Sequence, residues 1–307
     1  HLPTLKNGQM HKSPTTGAAA MINLIRQKLE SYKVTDIETE KQALKEILQS
    51  ITLYALWRVD FFEIAAFQGD TSLRILHALP RFSEDLDFIT KTPDPTFTWE
   101  AYSQNLLDVL AEYNVACQFV HRPNDTRPVK EAFIKDDSIT SQLEFSFMDT
   151  GRRGLLKVKL EVDTNPPIGS NWDYRFLDFP LDFEVCTQDL SSNFALKLHA
   201  LLCRPYVKGR DWFDFGWYCR FQVKPNMVLL ENAINQYGPW KNKDEKINEV
   251  WLLNKLAERI RAINWNEAVL DVTPFVAPIE RPSLKLWSQG FFLEKLATLE
   301  QTLESPR

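Results

Sequence analysis

The sequence predicts an α+β fold, a mixed sheet core with flanking helices followed by a helical C-terminal region. Three observations carry this expectation. Short runs that alternate with period two are interleaved with segments whose apolar residues recur every three or four positions, the signatures of strand and helix. A strand, turn, helix, strand order is packed into Ala65 to Thr90. Beyond Gln188 helical spacing continues with no further alternating run.

Four regions follow: a flexible tail over 1–20, N-terminal helices over 21–62, a mixed core over 63–188 and a helical region over 189–307. His1 to Ala20 is polar and lacks the basic-then-apolar pattern of a secretory signal, with Met10 and Met21 as candidate starts. Ile22, Leu24, Ile25 and Leu29 mark one amphipathic helix, and after Thr35-Asp36 a second runs through Ala43, Ile47, Ile51, Leu53 and Leu56. The charged residues of Glu38 to Lys45 are expected on its solvated face. Ala65 to Gln68 is a short strand that delivers the Gly69-Asp70-Thr71-Ser72 turn. The helix after that turn carries Leu73, Ile75, Leu76 and Leu79, and Asp85 to Thr90 is the neighbouring strand.

Helical spacing returns over Trp99 to Tyr113. Strands are predicted over Val115 to His121, Ser141 to Met148 and Leu155 to Thr164, the last two joined by a hairpin turn at Gly151 to Gly154. His121 enters a turn and is expected in solvent. Phe176 to Thr187 alternates around Pro180, which predicts a kinked or edge strand. Asp189 or Ser191 caps a helix with Phe194, Leu198, Leu201 and Leu202 on its apolar side, and Pro205 ends it. Arg210-Asp211-x-x-Asp214 opens the next helix. Three more are predicted over Met227 to Tyr237, Lys246 to Ile263 and Phe291 to Leu303, with Trp251, Trp265, Phe275 and Trp287 as packing residues.

Composition narrows the function classes. At 307 residues, 44% hydrophobic and 25% charged, the chain is long enough for one large domain or two ordinary ones with real cores. No stretch reaches about 18 uncharged apolar residues, so no membrane-spanning helix is predicted. A net charge of -5 argues against indiscriminate nucleic-acid binding, although a local basic patch can grip one defined RNA. Cys117, Cys186, Cys203 and Cys219 show no C-x-x-C spacing and are expected as free thiols in a reducing cytoplasm.

Two strands are chemically loaded. On Asp85-Leu86-Asp87-Phe88 both carboxylates project to one face while Leu86 and Phe88 enter the core. Neighbouring like charges raise the cost of ionising both, and a divalent cation removes it. Magnesium takes one or two carboxylates together with substrate phosphate oxygens. The Gly69 turn leads into a helix N-terminus, whose unpaired N–H groups attract phosphate. On Leu155 to Thr164, Val158, Leu160 and Val162 share one face, and Lys157, Lys159, Glu161 and Asp163 the other. That polar face is either a solvated edge or the source of a third carboxylate beside the first strand. Farther on, Lys197 and Arg204 stand two turns apart on one helix face. Arg204 and Arg210 can fork onto phosphate or pair with Asp211 and Asp214.

The run Gly69-x-Thr71-x-Leu73, then Arg81-Phe82-Ser83-x-Asp85-Leu86-Asp87, resembles the AbiEii/AbiGii (MenT-like) toxin family of the DNA polymerase β-like nucleotidyltransferase superfamily. Lys159-Leu160-Glu161-Val162 resembles its Lys-x-(Glu/Asp)-x motif, and Lys-x6-Arg-x5-Arg-Asp-x-x-Asp from Lys197 to Asp214 resembles its closing motif. The resemblance covers Glu38 to Phe275. It departs at Asp70, where the family usually has a second glycine. A carboxylate there repels phosphate unless it points away or helps to hold metal.

The resemblance implies a polymerase β-like core that moves a nucleoside monophosphate from a nucleoside triphosphate to an acceptor and releases pyrophosphate. It implies two magnesium ions on Asp85, Asp87 and Glu161, with Asp163 as the fallback for Glu161. Gly69, Thr71 and Ser72 would cradle phosphate, Ser72 through its hydroxyl, with Arg81, Ser83, Arg204 and Arg210 as further nucleotide contacts. Lys197 would neutralise the triphosphate, and Asp211 would be essential to activity. The implied acceptor is the 3′ end of transfer RNA, and the implied protein partner is a cognate antitoxin. Transfer to a small molecule or a protein hydroxyl, and a non-catalytic binding scaffold, are the alternatives left open.

Overall fold

Seven strands and ten α-helices are found among the residues that the computed structural model describes, 15–122, 126–136, 138–139, 143, 147, 155–243 and 245–305. The strands are β1 (Ala65–Gln68), β2 (Asp85–Thr90), β3 (Cys117–His121), β4 (Val129–Asp136), β5 (Leu156–Asp163), β6 (Trp172–Leu177) and β7 (Phe183–Gln188). They form one sheet in the order β3-β4-β5-β2-β1-β7-β6. β2 runs parallel to β5 and β1 parallel to β7, while the other neighbours are antiparallel, so the sheet is mixed.

The helices are α1 (Thr15–Ser31), α2 (Ile37–Arg58), α3 (Gly69–His77), α4 (Glu100–Glu112), α5 (Leu190–Cys203), α6 (Gly209–Arg220), α7 (Met227–Gln236), α8 (Glu249–Ala262), α9 (Trp265–Val272) and α10 (Gln289–Glu304). α2 starts at a capping box: the Thr39 N–H donates to the Asp36 carboxylate at 2.8 Å, and the Thr39 hydroxyl accepts from the Asp36 N–H at 3.1 Å. Asp189 caps α5 in the same sense, accepting from the Ser192 N–H at 2.7 Å.

α2 packs against β5 and β7 and is buried nearly all round, as a helix central to its core must be. It contributes Ile47, Ile51 and Leu56 to a core with Phe67, Leu86, Phe88, Leu160 and Val162 from the sheet. A second core joins α5 through α10 and takes in Leu73 and Leu79 from α3 and its exit. α3 therefore touches both cores, and its N-terminus lies where they meet. Trp265 stacks on Phe292 at 4.1 Å with Trp287 edge-on to both, and Trp251 packs on Trp240 against the same core, the interhelix roles expected from sequence.

Several elements differ from expectation. α1 begins at Thr15 rather than Met21. β4 was not anticipated, because its inward positions are Lys130, Ala132, Ile134 and Asp136, too polar to read as a strand face. Asp136 is nevertheless buried, accepting N–H groups from Ser138 at 3.2 Å and Ile139 at 3.1 Å. The expected single strand over Phe176 to Thr187 is two, β6 and β7. They pair antiparallel from Trp172↔Gln188 to Leu177↔Phe183, and Pro180 lies in their connection. β6 is the edge strand.

Glu40, expected in solvent, is buried and its carboxylate accepts the Phe147 N–H at 3.1 Å. His121 lies on β3 and pairs with Glu100 at 2.7 Å rather than standing free. The predicted strand Ser141 to Met148, apart from Leu143 and Phe147, and the hairpin turn Gly151 to Gly154 lie outside the described residues. So does the tail before Thr15. All four cysteines are unpaired, and no helix among the described residues is long and apolar enough to cross a membrane.

Candidate active site

Strand alternation and register bring the acids together. Leu86, Phe88, Leu160 and Val162 are buried, so the intervening acids of β2 and β5 stand on the opposite face. The parallel register sets Asp87 beside Glu161, Asp85 beside Lys159 and Ile89 beside Asp163. Asp85, Asp87, Glu161 and Asp163 all line one cavity of ≈ 390 Å³, with Gly69, Ser83, Lys197, Arg204, Arg210 and Asp211 on its other walls. Burial, then the charges of Glu161, Asp70 and Asp85, pushes the Asp87 carboxyl up to about 8. Asp85 is raised too, by burial and then by Glu161 and Glu84.

Glu161 is oriented from behind. Its carboxylate accepts the Lys159 ammonium at 2.6 Å, and Lys159 reaches on to Glu131 of β4 at 2.9 Å. Hydrogen bonds from Lys159 lead the effects that bring Glu131 down to about 2, so Glu131 stays an anion and anchors that lysine. Asp163 accepts the Asn165 N–H at 2.9 Å. It stands one alternation farther along β5 than Glu161, beside Ile89 and so farther from Asp85 than Glu161 is.

The Gly69 turn is locked rather than open. Gly69 has φ +76°, and a Cβ there would meet Asp87 Oδ2 at 2.9 Å, so glycine is required both by conformation and by space. Its N–H donates to Asn193 Oδ1 at 3.1 Å, and Asn193 Nδ2 donates to Ser72 Oγ at 2.9 Å. The Ser72 hydroxyl donates to the Gly69 carbonyl at 2.8 Å, and the Thr71 hydroxyl to the Asp85 carbonyl. Thr71 and Ser72 are buried and do not line the cavity. The expectation that Ser72 offers its hydroxyl to phosphate is corrected: both hydroxyls pin the turn to β2 and to itself. Ser83 lines the cavity, with its carbonyl held by Gln49 at 3.1 Å.

Arg81 is also corrected. Its side chain is fully buried, forks onto Asp214 at 2.8 and 2.6 Å and pairs with Asp70 at 2.9 Å, leaving no face for a nucleotide. Asp70, Asp211 and Asp214 form the one group of acids among the described residues whose oxygens approach closely enough to share an ion. That place is taken. The Lys197 ammonium bonds Asp70 and lies 2.8 Å from Asp211 and 2.9 Å from Asp214, while Arg204 holds Asp211 at 2.6 Å. Three carboxylates face Lys197, Arg81 and Arg204, so the cluster is neutral without a metal.

Despite burial, Lys197, ahead of Arg81 and Lys208, holds Asp70 well below the usual carboxylate range. Asp70 is thus a neutralised anion, and the repulsion foreseen from its place in the turn does not arise. An ammonium has three hydrogens, and those of Lys197 face three acids. Its expected direct hold on triphosphate is therefore not available in this arrangement.

Arg210 donates to Glu84 at 3.1 Å and lies 4.1 Å over the Phe275 ring. Lys208 also lines the cavity. Sequence reading missed Lys208, Asn193 and Glu131. Lys208 had a signal, a basic residue two before Arg210 in the closing motif, whereas Asn193 had none and Glu131 lay on the unread strand. Asp85, Asp87 and Glu161 present only oxygen donors to the cavity, the ligand type a hard divalent cation takes, with Asp85 and Asp87 raised by burial and then by neighbouring charge. As placed, these three oxygens are farther apart than those of the Asp70, Asp211 and Asp214 group.

The family described as "Nucleotidyl transferase AbiEii toxin, Type IV TA system" matches residues 51–295. Among solved structures, the chain is similar to MenT4, a nucleotidyltransferase toxin from Mycobacterium tuberculosis H37Rv. The identity is 15%, coverage is 91% of this chain and 98% of that one, and the TM-score is 0.46. It is also similar to JHP933 from Helicobacter pylori, at 15% identity, 86% and 92% coverage and a TM-score of 0.45. No curated protein matches.

Proposed function

The chain belongs to the AbiEii nucleotidyltransferase toxin family of type IV toxin-antitoxin systems, and on that premise we propose that it transfers a nucleoside monophosphate from a nucleoside triphosphate to the 3′ end of transfer RNA. Residues 63–188 are the catalytic core, and residues 189–307 wall one side of the cleft. Asp85, Asp87 and Glu161 would hold two magnesium ions, which would offset the charge of the triphosphate and of the leaving group.

The acceptor hydroxyl oxygen attacks the α-phosphorus. A new P–O bond forms, the bond to the β-phosphate oxygen breaks, and pyrophosphate leaves with the electron pair. Glu161, steadied by Lys159, takes the proton of the attacking hydroxyl. The helix start at Gly69 faces the phosphates. Lys197 and Asp211 set the charge of the cavity wall from within their ion cluster, and Arg204 and Arg210 flank it. A cognate antitoxin regulates the enzyme, as the type IV system implies, and growth arrest follows because an extended acceptor stem cannot be charged.

The observation that supports this most directly is the pairing of Asp87 with Glu161 on adjoining parallel strands that face the same cavity as Asp85. Incubating the purified protein with magnesium, each labelled nucleoside triphosphate and total RNA tests it. Label in the transfer RNA band is the expected result. Label on another molecule redirects the acceptor, and no label with any triphosphate from folded protein refutes transfer.

A further inference from the structure

Four cationic side chains among the described residues line the cavity: Lys197, Arg204, Lys208 and Arg210. Three are committed. Lys197 and Arg204 hydrogen-bond Asp211 at 2.8 and 2.6 Å, and Arg210 bonds Glu84 at 3.1 Å. Lys208, in the loop between α5 and α6, is different: its ion-pair contact is Asp70 at 3.9 Å, beyond hydrogen-bond reach.

We infer that Lys208 is the side chain that grips the triphosphate directly, while Lys197 positions the wall behind it. The inference rests on the nucleotidyltransferase reading and names a substrate contact within it. The Lys208 side chain is 25% exposed, so its ammonium can swing toward an incoming anion without breaking a hydrogen bond. Recruiting Lys197 instead would strip a cation from Asp70, Asp211 and Asp214, all of them buried. Uncompensated buried charge makes that route costly.

The position of Lys208 also fits. It lines the same cavity as Asp85 and Asp87 and lies 3.9 Å from Asp70, so it stands between the acids of the strands and the cluster that Asp70 shares with α6. A triphosphate held at the strand acids has its phosphate oxygens in that space. Lysine, a compact charge with three rotatable donors on a flexible stem, suits such a moving contact. Asp70 has a matching part. It keeps Lys208 near the cavity in the absence of nucleotide but is too far away to compete as a hydrogen-bond acceptor.

Equilibrium binding of each magnesium nucleoside triphosphate to the full chain tests this, with Lys208→Gln, Lys208→Arg and Lys197→Gln beside the wild type and an unphosphorylated nucleoside as control ligand. Losing one charge-assisted contact should weaken triphosphate binding by Lys208→Gln about 10- to 100-fold. Nucleoside binding and melting temperature should be unchanged, and Lys208→Arg should recover most of the loss. Lys197→Gln should lower the melting temperature instead. If the wild type binds triphosphate and Lys208→Gln binds it equally well, Lys208 is not the contact and only this inference falls. If the wild type binds no triphosphate, the nucleotidyltransferase reading falls and takes the inference with it.

Discussion

Replacing Asp87 by asparagine should make the metal-free protein more stable at alkaline pH while abolishing transfer. Burial, and then the charges of Glu161, Asp70 and Asp85, raise the Asp87 carboxyl from 3.8 to about 8. Between those two values the folded chain keeps a proton that the unfolded chain has released. Stability therefore falls as pH rises through that window, by about 1.4 kcal/mol per unit at most. Over some four units the ceiling is about 6 kcal/mol; water at the cavity mouth screens the charge, so we expect roughly 2–4 kcal/mol.

Asparagine has no proton to lose, so Asp87→Asn escapes this penalty. The assay is urea denaturation in a chelating buffer from pH 4.5 to 8.5, with the two proteins side by side. Asp163 is raised too but is present in both proteins, so its contribution cancels in the difference; Asp85 is coupled to Asp87 by charge, so the difference reads the titration of that pair. The variant should match the wild type near pH 4.5 and exceed it progressively up to pH 8.5. A difference that does not change with pH, or a variant less stable at pH 8.5, would refute the electrostatic account of this site.

Other perturbations separate the reacting acids from the brace behind them. Asp85→Ala or Glu161→Gln should cut transfer at least about 100-fold with the fold intact, as expected for groups that act on the reacting atoms; activity near wild type in either would remove that residue from the site. Gly69→Ala should lose about 1–3 kcal/mol and most activity, because the positive φ is strained and the new methyl displaces Asp87; a melting curve and labelling assay like the wild type's would contradict it. Asp214→Ala should destabilise the chain by about 3–5 kcal/mol, since it leaves Arg81 and Lys197 buried with fewer partners. An Asp214→Ala variant with wild-type denaturation would show the cluster to be dispensable.

Much of the catalytic face was legible because strand alternation is local. The side-chain directions of Asp85 and Asp87, and of Glu161 and Asp163, follow from period two alone once the strands are recognised. β4 escaped because Lys130 and Asp136 occupy inward positions and hide its alternation, although Asp136 is satisfied there by the Ser138 and Ile139 N–H groups just beyond the strand. β6 and β7 were merged because alternation continues up to Pro180 and nothing local marks a reversal.

That Glu161 stands beside Asp87 and Asp163 beside Ile89 comes from pairing register, a relation between β2 and β5 that no property of either segment encodes. Arg81 and Lys197 were expected to bind nucleotide because basic residues in phosphate motifs usually do. The structure instead buries them among Asp70, Asp211 and Asp214, residues from α3 and α6 that only folding brings together. Which segments form strands, and which way their side chains point, is written along the chain because sterics act between neighbours. Which charges neutralise one another, and which lysine is left uncommitted at the cavity, depends on contacts such as Asp70 with Lys197 across 127 positions, and these exist only once both cores have closed.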